Sequence, residues 1–389
     1  MMGPRLLYVI PSLQTGGAEL QTINHVNYLF SEGYEVRLIV LSRKNENIDQ
    51  LNPEFQHVSN LGISALPPIG VSLILKMPGI VLRLLKLIEK GATWDVIAIL
   101  PSAHFVMRVV KFFRPKLSLH SYYRALYYEM SPMKSAGKRF FNGFNKYLAR
   151  RMDTSSIFIS NHVYHDIQKN FHTPNPLIIP NSLPPKQVDS LEGKSFLAEN
   201  NLETEYLILF PGRLHFAKGH IFFLEQFKKL IVRESLSSRK VRLLIVGDGS
   251  EKKSICTFIE ANSLSPFVKM TGPLRNQLLL SLYKCSDLVV IPSLHEGFGN
   301  VAIEGLMQGS LMLASNAGGL GEIIRDGENG FVFEKGNTNN LLDKLTMIYQ
   351  NRTKKLVDST RLEEEFFRRY TIGRQMDDLL NHIEKFPRK

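Results

Sequence analysis

The sequence predicts two doubly wound α/β domains in series, and three observations carry that prediction. Short apolar runs of strand length recur through the chain, bounded by Gly, Pro, Asn or Ser. Stretches of helical period separate them, so the runs read as parallel strands joined by crossover helices. The alternation pauses once, over the aperiodic "SLPPKQVDSLEGK" of residues 182–194, and then restarts. That stretch reads as a linker. A chain of 389 residues is long enough to build two cores.

The opening "MMGPRLLYVIPS" holds only a five-residue apolar run, 6–10, too short for a signal peptide and suited to a first strand. A Gly-Gly turn, a helical pattern closed by Gly33 and a second strand at 35–42 complete a βαβ unit. Strands at 94–100, 116–122, 155–160 and 176–182 continue the first half. Beyond the linker, strands are expected at 206–214, 241–249, 267–272, 287–293 and 311–316, with helices between. In such domains ligands bind beyond the carboxyl ends of the strands, so a cleft between the halves is expected.

The composition is that of a soluble globular protein, 44% hydrophobic and 22% charged. Two cysteines, Cys256 and Cys285, offer no disulfide framework, and a reducing cytoplasm is the expected compartment. The most apolar stretch, 69–88, is interrupted by Lys76, Pro78, Arg83 and Lys86 and is not expected to span a membrane. A net charge of +12 asks for an anionic partner: nucleic acid, an anionic membrane surface or a phosphate-bearing ligand. Basic residues bunch with Phe, Tyr and Leu at 106–116 and 134–151, a pattern that fits either a helix lying on a membrane or a solvated basic face.

Three strand ends in the second half carry chemistry. In "FPGRLHFAKGH", Arg213 and Lys218 stand five residues apart on a strand-to-helix loop. There Arg can grip a pyrophosphate bidentately and Lys as a point charge. In "VGDG", Gly247 lets a ligand approach the backbone, although no dinucleotide fingerprint is completed. In "SLHEGFGNVAIEG", Glu296 lies in a loop and Glu304 in the following helix, with Gly297 and Gly299 between them. Free amides and a helix N-terminus suit an anion, and carboxylates accept from hydroxyls. Together the three ask for two phosphates flanked by hydroxyl-bearing groups, a nucleotide sugar. His295 begins no zinc motif, because Gly299 stands where a second His is required.

The segment "YKCSDLVVIPSLHEGFGNVAIEGLMQG" resembles the retaining GT-B glycosyltransferases of glycosyltransferase family 4, whose hallmark is two Glu separated by seven residues. "TGGAELQTINHVNYLFSEGYEV", "IIPNS", "PGRLHFAKGH", "VGDG" and "NAGGLGEIIRDGENGFVF" follow that family's order, so the resemblance covers about residues 10–335. It implies the GT-B fold, two Rossmann-like doubly wound domains facing a central cleft. An acceptor-side domain at 1–185 and a nucleotide-sugar domain at 186–362 would be joined by a helix over 363–389 that crosses back. The implied reaction moves a hexose or N-acetylhexosamine, with retention, from a nucleoside-diphosphate sugar to a lipid-linked or surface-glycan acceptor. The donor is expected to be a UDP-sugar first and a GDP-sugar second, and the place the cytoplasmic face of the membrane. No Asp-x-Asp triplet occurs, which agrees with metal-independent transfer.

The resemblance also assigns roles. Arg213 and Lys218 would bind the diphosphate and stabilise charge on the leaving nucleotide. Glu304 would hold the ribose and Glu296 the donor sugar, with Gly297, Phe298, Gly299 and Asn300 around the sugar and phosphate. Gly247 and Leu274 would complete the donor site, and Gly16 and Gly17 would approach the diphosphate from the first domain. The leaving phosphate would help deprotonate the acceptor, so the two-carboxylate glycosidase scheme does not apply. Where many members carry a His, this chain has Leu100; His104 and His120 are the candidates to replace it. Two other readings are a sugar-nucleotide epimerase of the same fold and a nucleic-acid-binding protein, the latter resting on charge alone with no reader motif.

Overall fold

A computed structural model describes residues 4–14, 16–64, 71–129 and 136–386. Of the sequence features above, Thr15, residues 1–3, 69–70 and 134–135 lie outside the described residues. The chain divides into two compact units, Met1–Pro184 with Thr371–Lys389, and Pro185–Tyr370.

The first unit is a parallel sheet of β1 (Leu6–Ile10), β2 (Val36–Ser42), β3 (Val58–Ile63), β4 (Asp95–Ile99), β5 (Ser118–Tyr123), β6 (Ser155–Phe158) and β7 (Pro176–Ile178). Their order is β3-β2-β1-β4-β5-β6-β7, so the winding reverses between β1 and β4. Its first five helices are α1 (Gly17–Ser31), α2 (Val71–Leu87), α3 (Pro101–Phe113), α4 (Ala136–Met152) and α5 (Asn161–Gln168). Leu7, Val9, Ile39, Val96 and Ala98 of the sheet pack with Leu73 and Leu84 of α2 and Val106 and Val110 of α3. Continuous burial explains why β1, and β4 after Asp95, read as apolar runs. Behind β5, Arg108 and Asp153 form a fully buried bidentate pair at 2.8 and 2.6 Å, supplemented by Asn145 and the Tyr123 hydroxyl.

The second unit repeats the plan with β8 (Leu207–Pro211), β9 (Arg242–Val246), β10 (Val268–Gly272), β11 (Leu288–Ile291), β12 (Met312–Ser315) and β13 (Phe331–Phe333). Their order is β10-β9-β8-β11-β12-β13, with the reversal between β8 and β11. The helices are α6 (Leu191–Glu199), α7 (His220–Arg233), α8 (Lys252–Ala261), α9 (Asn276–Cys285), α10 (Asn300–Met307), α11 (Leu320–Ile323), α12 (Thr338–Gln350) and α13 (Ser359–Arg369). Ile208, Phe210, Leu243, Ile245 and Val290 pack with Phe223, Phe227 and Leu345 in its core. After Tyr370 the chain re-enters the first unit as α14 (Ile372–Ile383), which packs on α1.

Three features differ from the sequence expectation. The edge strands β3 and β13 go unread: "VSNLGI" is largely half-exposed and carries polar residues, and "FVF" is only three residues long. The helix expected over 363–389 is two helices within the described residues, broken where Thr371 turns extended to bridge Leu183. The linker region already contains α6, which packs on α9. Among the described residues no helix is long and apolar enough to cross a membrane.

Candidate active site

The winding reversal of the second unit falls between β8 and β11, and the loops leaving these two strands carry the predicted donor-side residues. Such a reversal opens a crevice at the carboxyl ends of the strands. After β8 come Gly212, Arg213 and a short 3-10 turn over Phe216–Lys218, in which the His215 ring accepts from the Ala217 amide. Gly219 follows with φ +72 and starts α7. A Cβ there would collide with the Pro292 carbonyl oxygen, so only glycine lets the two site loops come this close.

After β11, the Leu294 and His295 amides both donate to the Ala217 carbonyl, at 2.7 and 3.2 Å. The Ser315 hydroxyl at the end of β12 donates to the Ser293 carbonyl at 2.6 Å. Three strand ends are thereby laced into one platform. Gly299, with φ +112, is the N-cap of α10, and Asn300 is its first residue. The buried Phe298 ring turns inward, 6.2 Å from the ring of Tyr370.

On this platform Lys218 and Glu296 meet. The Lys218 ammonium donates to Glu296 Oε2 at 2.6 Å, and the Ser293 hydroxyl donates to the same oxygen at 3.3 Å. The family resemblance assigns these two residues to different parts of a donor; in the structure they pair with each other. Arg213 is exposed, and its side chain makes no hydrogen bond among the described residues. His220, stacked on Phe210 at 4.2 Å, is held neutral: burial, aided by the Lys218 charge, pulls its pKa down to about 4.

Glu304 sits within α10, and the buried Tyr283 hydroxyl on α9 donates to its Oε2 at 2.7 Å. Burial pushes the Glu304 carboxyl up to about 7, against the hydrogen bond from Tyr283, which favours the ionised form. Gly247 closes β9, its amide donating to the Gly272 carbonyl at 3.0 Å, and Leu274 lies half-buried in the loop after β10. Arg213, Lys218, Gly247, Leu274, Glu296, Gly297, Phe298, Gly299, Asn300 and Glu304 therefore all occupy the carboxyl-end loops of one sheet or the helix that follows.

In the first unit, Gly16 and Gly17 open α1 at the equivalent reversal, after β1. Across the reversal, Leu100 has φ +71 and leads into Pro101 and α3. Both candidate histidines are buried in the structure. His104 is 1% exposed, lies 3.0 Å from the Tyr122 carbonyl oxygen and packs on Tyr123. Burial pulls its pKa down to about 3, so it is a neutral core group. His120 is fully buried within β5, its Nδ1 2.7 Å from the Ser155 hydroxyl. Both rings are buried, within α3 and β5 respectively.

What the sequence reading missed is Arg124, directly after β5. This guanidinium is 7% exposed, donates to Asn181 Oδ1 at 3.0 Å and lies 3.9 Å over the Tyr122 ring. Its Nη2 is 3.2 Å from Nε2 of the buried His25, whose ring is held by the Tyr8 hydroxyl and by Gln375 of α14. Its position in "SYYR", at a strand's carboxyl end, is the same signal that singled out Arg213.

Known proteins resemble parts or all of this chain. Residues 194–362 match the family described as Glycosyl transferases group 1. An uncharacterized glycosyltransferase of Methanocaldococcus jannaschii is 32% identical over 163 residues, 42% of this chain and 46% of that protein. The D-inositol 3-phosphate glycosyltransferase of Rhodococcus opacus is 37% identical over 135 residues, 33% of this chain and 30% of that protein. The chain spans under half the length of these curated relatives. Among solved structures, the Anabaena protein Alr3699/HepE in complex with UDP superposes with a TM-score of 0.79 at 19% identity, covering 98% of this chain and all of that one. The sucrose-phosphate synthase of Thermosynechococcus elongatus gives 0.78 at 18% identity, covering 98% and 99%. The chain has the GT-B fold of two parallel-sheet α/β domains, and its second unit carries a glycosyl transferases group 1 domain.

Proposed function

We propose that the chain is a glycosyltransferase that moves a sugar, with retention at the anomeric carbon, from a nucleoside-diphosphate donor to a lipid-linked or surface-glycan acceptor. The observation that carries this reading is the Lys218–Glu296 pair, set beside Arg213 and the Gly297–Gly299 bend at the winding reversal of the second unit. A bound diphosphate would draw the Lys218 ammonium and the Arg213 guanidinium, releasing Glu296 to accept from sugar hydroxyls. The bond from the anomeric carbon to the phosphate oxygen breaks as the acceptor oxygen bonds to the same face. The acceptor's proton passes to the leaving phosphate, and the two cations stabilise the charge growing there without a required metal.

A UDP-sugar is the first donor in this proposal and a GDP-sugar the second; the hexose or N-acetylhexosamine is the group moved. The relatives' names support sugar transfer from a nucleotide: a D-inositol 3-phosphate glycosyltransferase, an alpha-D-kanosaminyltransferase and a fold neighbour bound to UDP. Placement at an anionic membrane rests on the first unit. There α3 packs between α2 and α4, and Leu75, Leu82, Phe112, Phe113, Phe144 and Tyr147 are exposed among Lys and Arg of the same helices.

Incubation of the purified chain with UDP-, GDP- and ADP-sugars, with and without membrane extract, tests the proposal. Nucleotide release with labelled sugar in the lipid or glycan fraction is expected, and its loss in Glu296→Ala. Turnover of the donor with no acceptor at all would mark an epimerase instead. Silence with every donor sinks the reading.

A further inference from the structure

Glu304 is held by a residue that no motif spacing reveals. Tyr283 lies in the last turn of α9, fully buried, 21 positions before Glu304, and its hydroxyl reaches Glu304 Oε2 at 2.7 Å and the Val301 carbonyl at 3.4 Å. The backbone that carries it is itself fixed, because its carbonyl accepts from the Ser310 hydroxyl at 2.9 Å and the Ser286 hydroxyl at 3.0 Å. The Glu304 carboxylate is thus divided. One oxygen faces inward to a rigid donor, and the other makes no hydrogen bond among the described residues.

Resting on the donor-site reading above, we infer that Tyr283 is a positioning residue: it clamps one oxygen of Glu304 so that the other is presented to the vicinal hydroxyls of a nucleotide's ribose. The environment agrees. Titratable groups on the elements packed against α10 are Tyr283, Lys284 and Cys285 of α9, Glu322 of α11, and Arg361, Glu363, Glu364, Glu365, Arg368 and Arg369 of α13. Lys284 is drawn to Glu363 at 3.7 Å and Glu365 is paired with Arg325 and Arg369, while the Tyr283 hydroxyl is hydrogen-bonded to Glu304. Only the ionised carboxylate accepts from both the phenol and the ribose. Burial brings its protonation up to about pH 7, so nucleotide affinity should rise as pH rises through that value.

The experiment is calorimetric titration of the full chain with UDP, GDP and ADP from pH 6 to pH 9, taking the tightest as the probe, together with its 2′-deoxy form. Tyr283→Phe should weaken the ribonucleotide about tenfold or more, as expected for losing a hydrogen bond to a charged group. It should also move the midpoint of the affinity profile to higher pH, because the bond that favours the charged form is gone. The 2′-deoxy probe should be less affected. Glu304→Asp, which keeps the charge but cannot reach both partners, should lose affinity as Glu304→Gln does, and the Gln variant should bind without the pH step.

Wild-type affinity and profile in Tyr283→Phe, or weakened binding with an unmoved profile, overturns the inference. If Tyr283→Phe does not fold, wild-type binding by Glu304→Asp overturns it equally. Wild-type binding by Glu304→Gln places the failure in the donor-site reading itself, and a chain that binds no nucleotide overturns both.

Discussion

Replacing Lys218 by Met separates what its ammonium does for the fold from what it does for a ligand. In the folded chain it serves Glu296 at 2.6 Å, with the two side chains 26% and 12% exposed. A pair this near solvent contributes on the order of 1 kcal/mol or less to stability. For a unit the size of Pro185–Tyr370, that corresponds to a fall of roughly 2–4 °C in melting temperature. The cost in turnover should be far larger. Removing one charge-stabilising donor from a transition state typically costs about 100- to 1000-fold. Calorimetry gives the first number, and kcat/KM from nucleotide release with the best donor gives the second. Glu296→Gln and the double variant complete a cycle: residues that share a contact in the free chain and a ligand in the complex should be non-additive in turnover. A variant that turns over within tenfold of the wild type refutes the role of Lys218. Equal losses in stability and turnover would show that the ion pair merely holds the loop.

Arg213→Ala should cut kcat/KM by a similar factor yet leave the melting temperature unchanged, since its exposed side chain makes no hydrogen bond among the described residues. The two variants are thus distinguishable by calorimetry. Glu304→Gln should change the pH dependence of stability. The folded-state pKa of about 7 lies above the unfolded 4.5, so the carboxyl's contribution is full below pH 4.5 and is lost as pH rises through 7. Denaturant titrations at pH 5 and pH 8 should show the variant gaining on the wild type by a few kcal/mol at the higher pH. Asp153→Ala, which strands the buried Arg108 guanidinium, should lower the urea unfolding free energy of the first unit by about 3–5 kcal/mol.

The sheets were legible because buried parallel strands are largely apolar: β1, β8 and β11 are so throughout and β4 in all but Asp95, whereas β5 carries Ser118, His120 and Ser121. The edges were not. β3 faces solvent enough to keep Ser59 and Asn60, which removes the signal. The break before α14 was equally silent, because its cause is pairing of Thr371 with Leu183, far away in sequence. In the candidate site, Arg213, Lys218 and Glu296 stand in loops that leave a strand with glycine nearby, and Glu304 stands out by its spacing from Glu296. Their partners could not be read. That Lys218 meets Glu296, and that Tyr283 reaches Glu304 from another helix, depends on how loops after different strands converge. The surroundings of the histidines were equally silent: a His in a sequence gives no hint whether its ring turns to solvent or, like His104, onto a carbonyl.

The return of the chain after Tyr370 bears on how the molecule is made. The first unit is assembled from both ends of the sequence, and its buried cluster joins Ser182 and His25 to Gln375 of α14. The second unit is one unbroken stretch, Pro185–Tyr370. A ribosome delivering this chain releases everything the later unit needs before it releases the last helix of the earlier one. The half synthesised first is therefore the half completed last, and it waits with the α1 face that α14 covers still open. Nascent-chain arrest just beyond Tyr370 would capture that state: a finished second unit carried beside a first unit that still lacks its final helix.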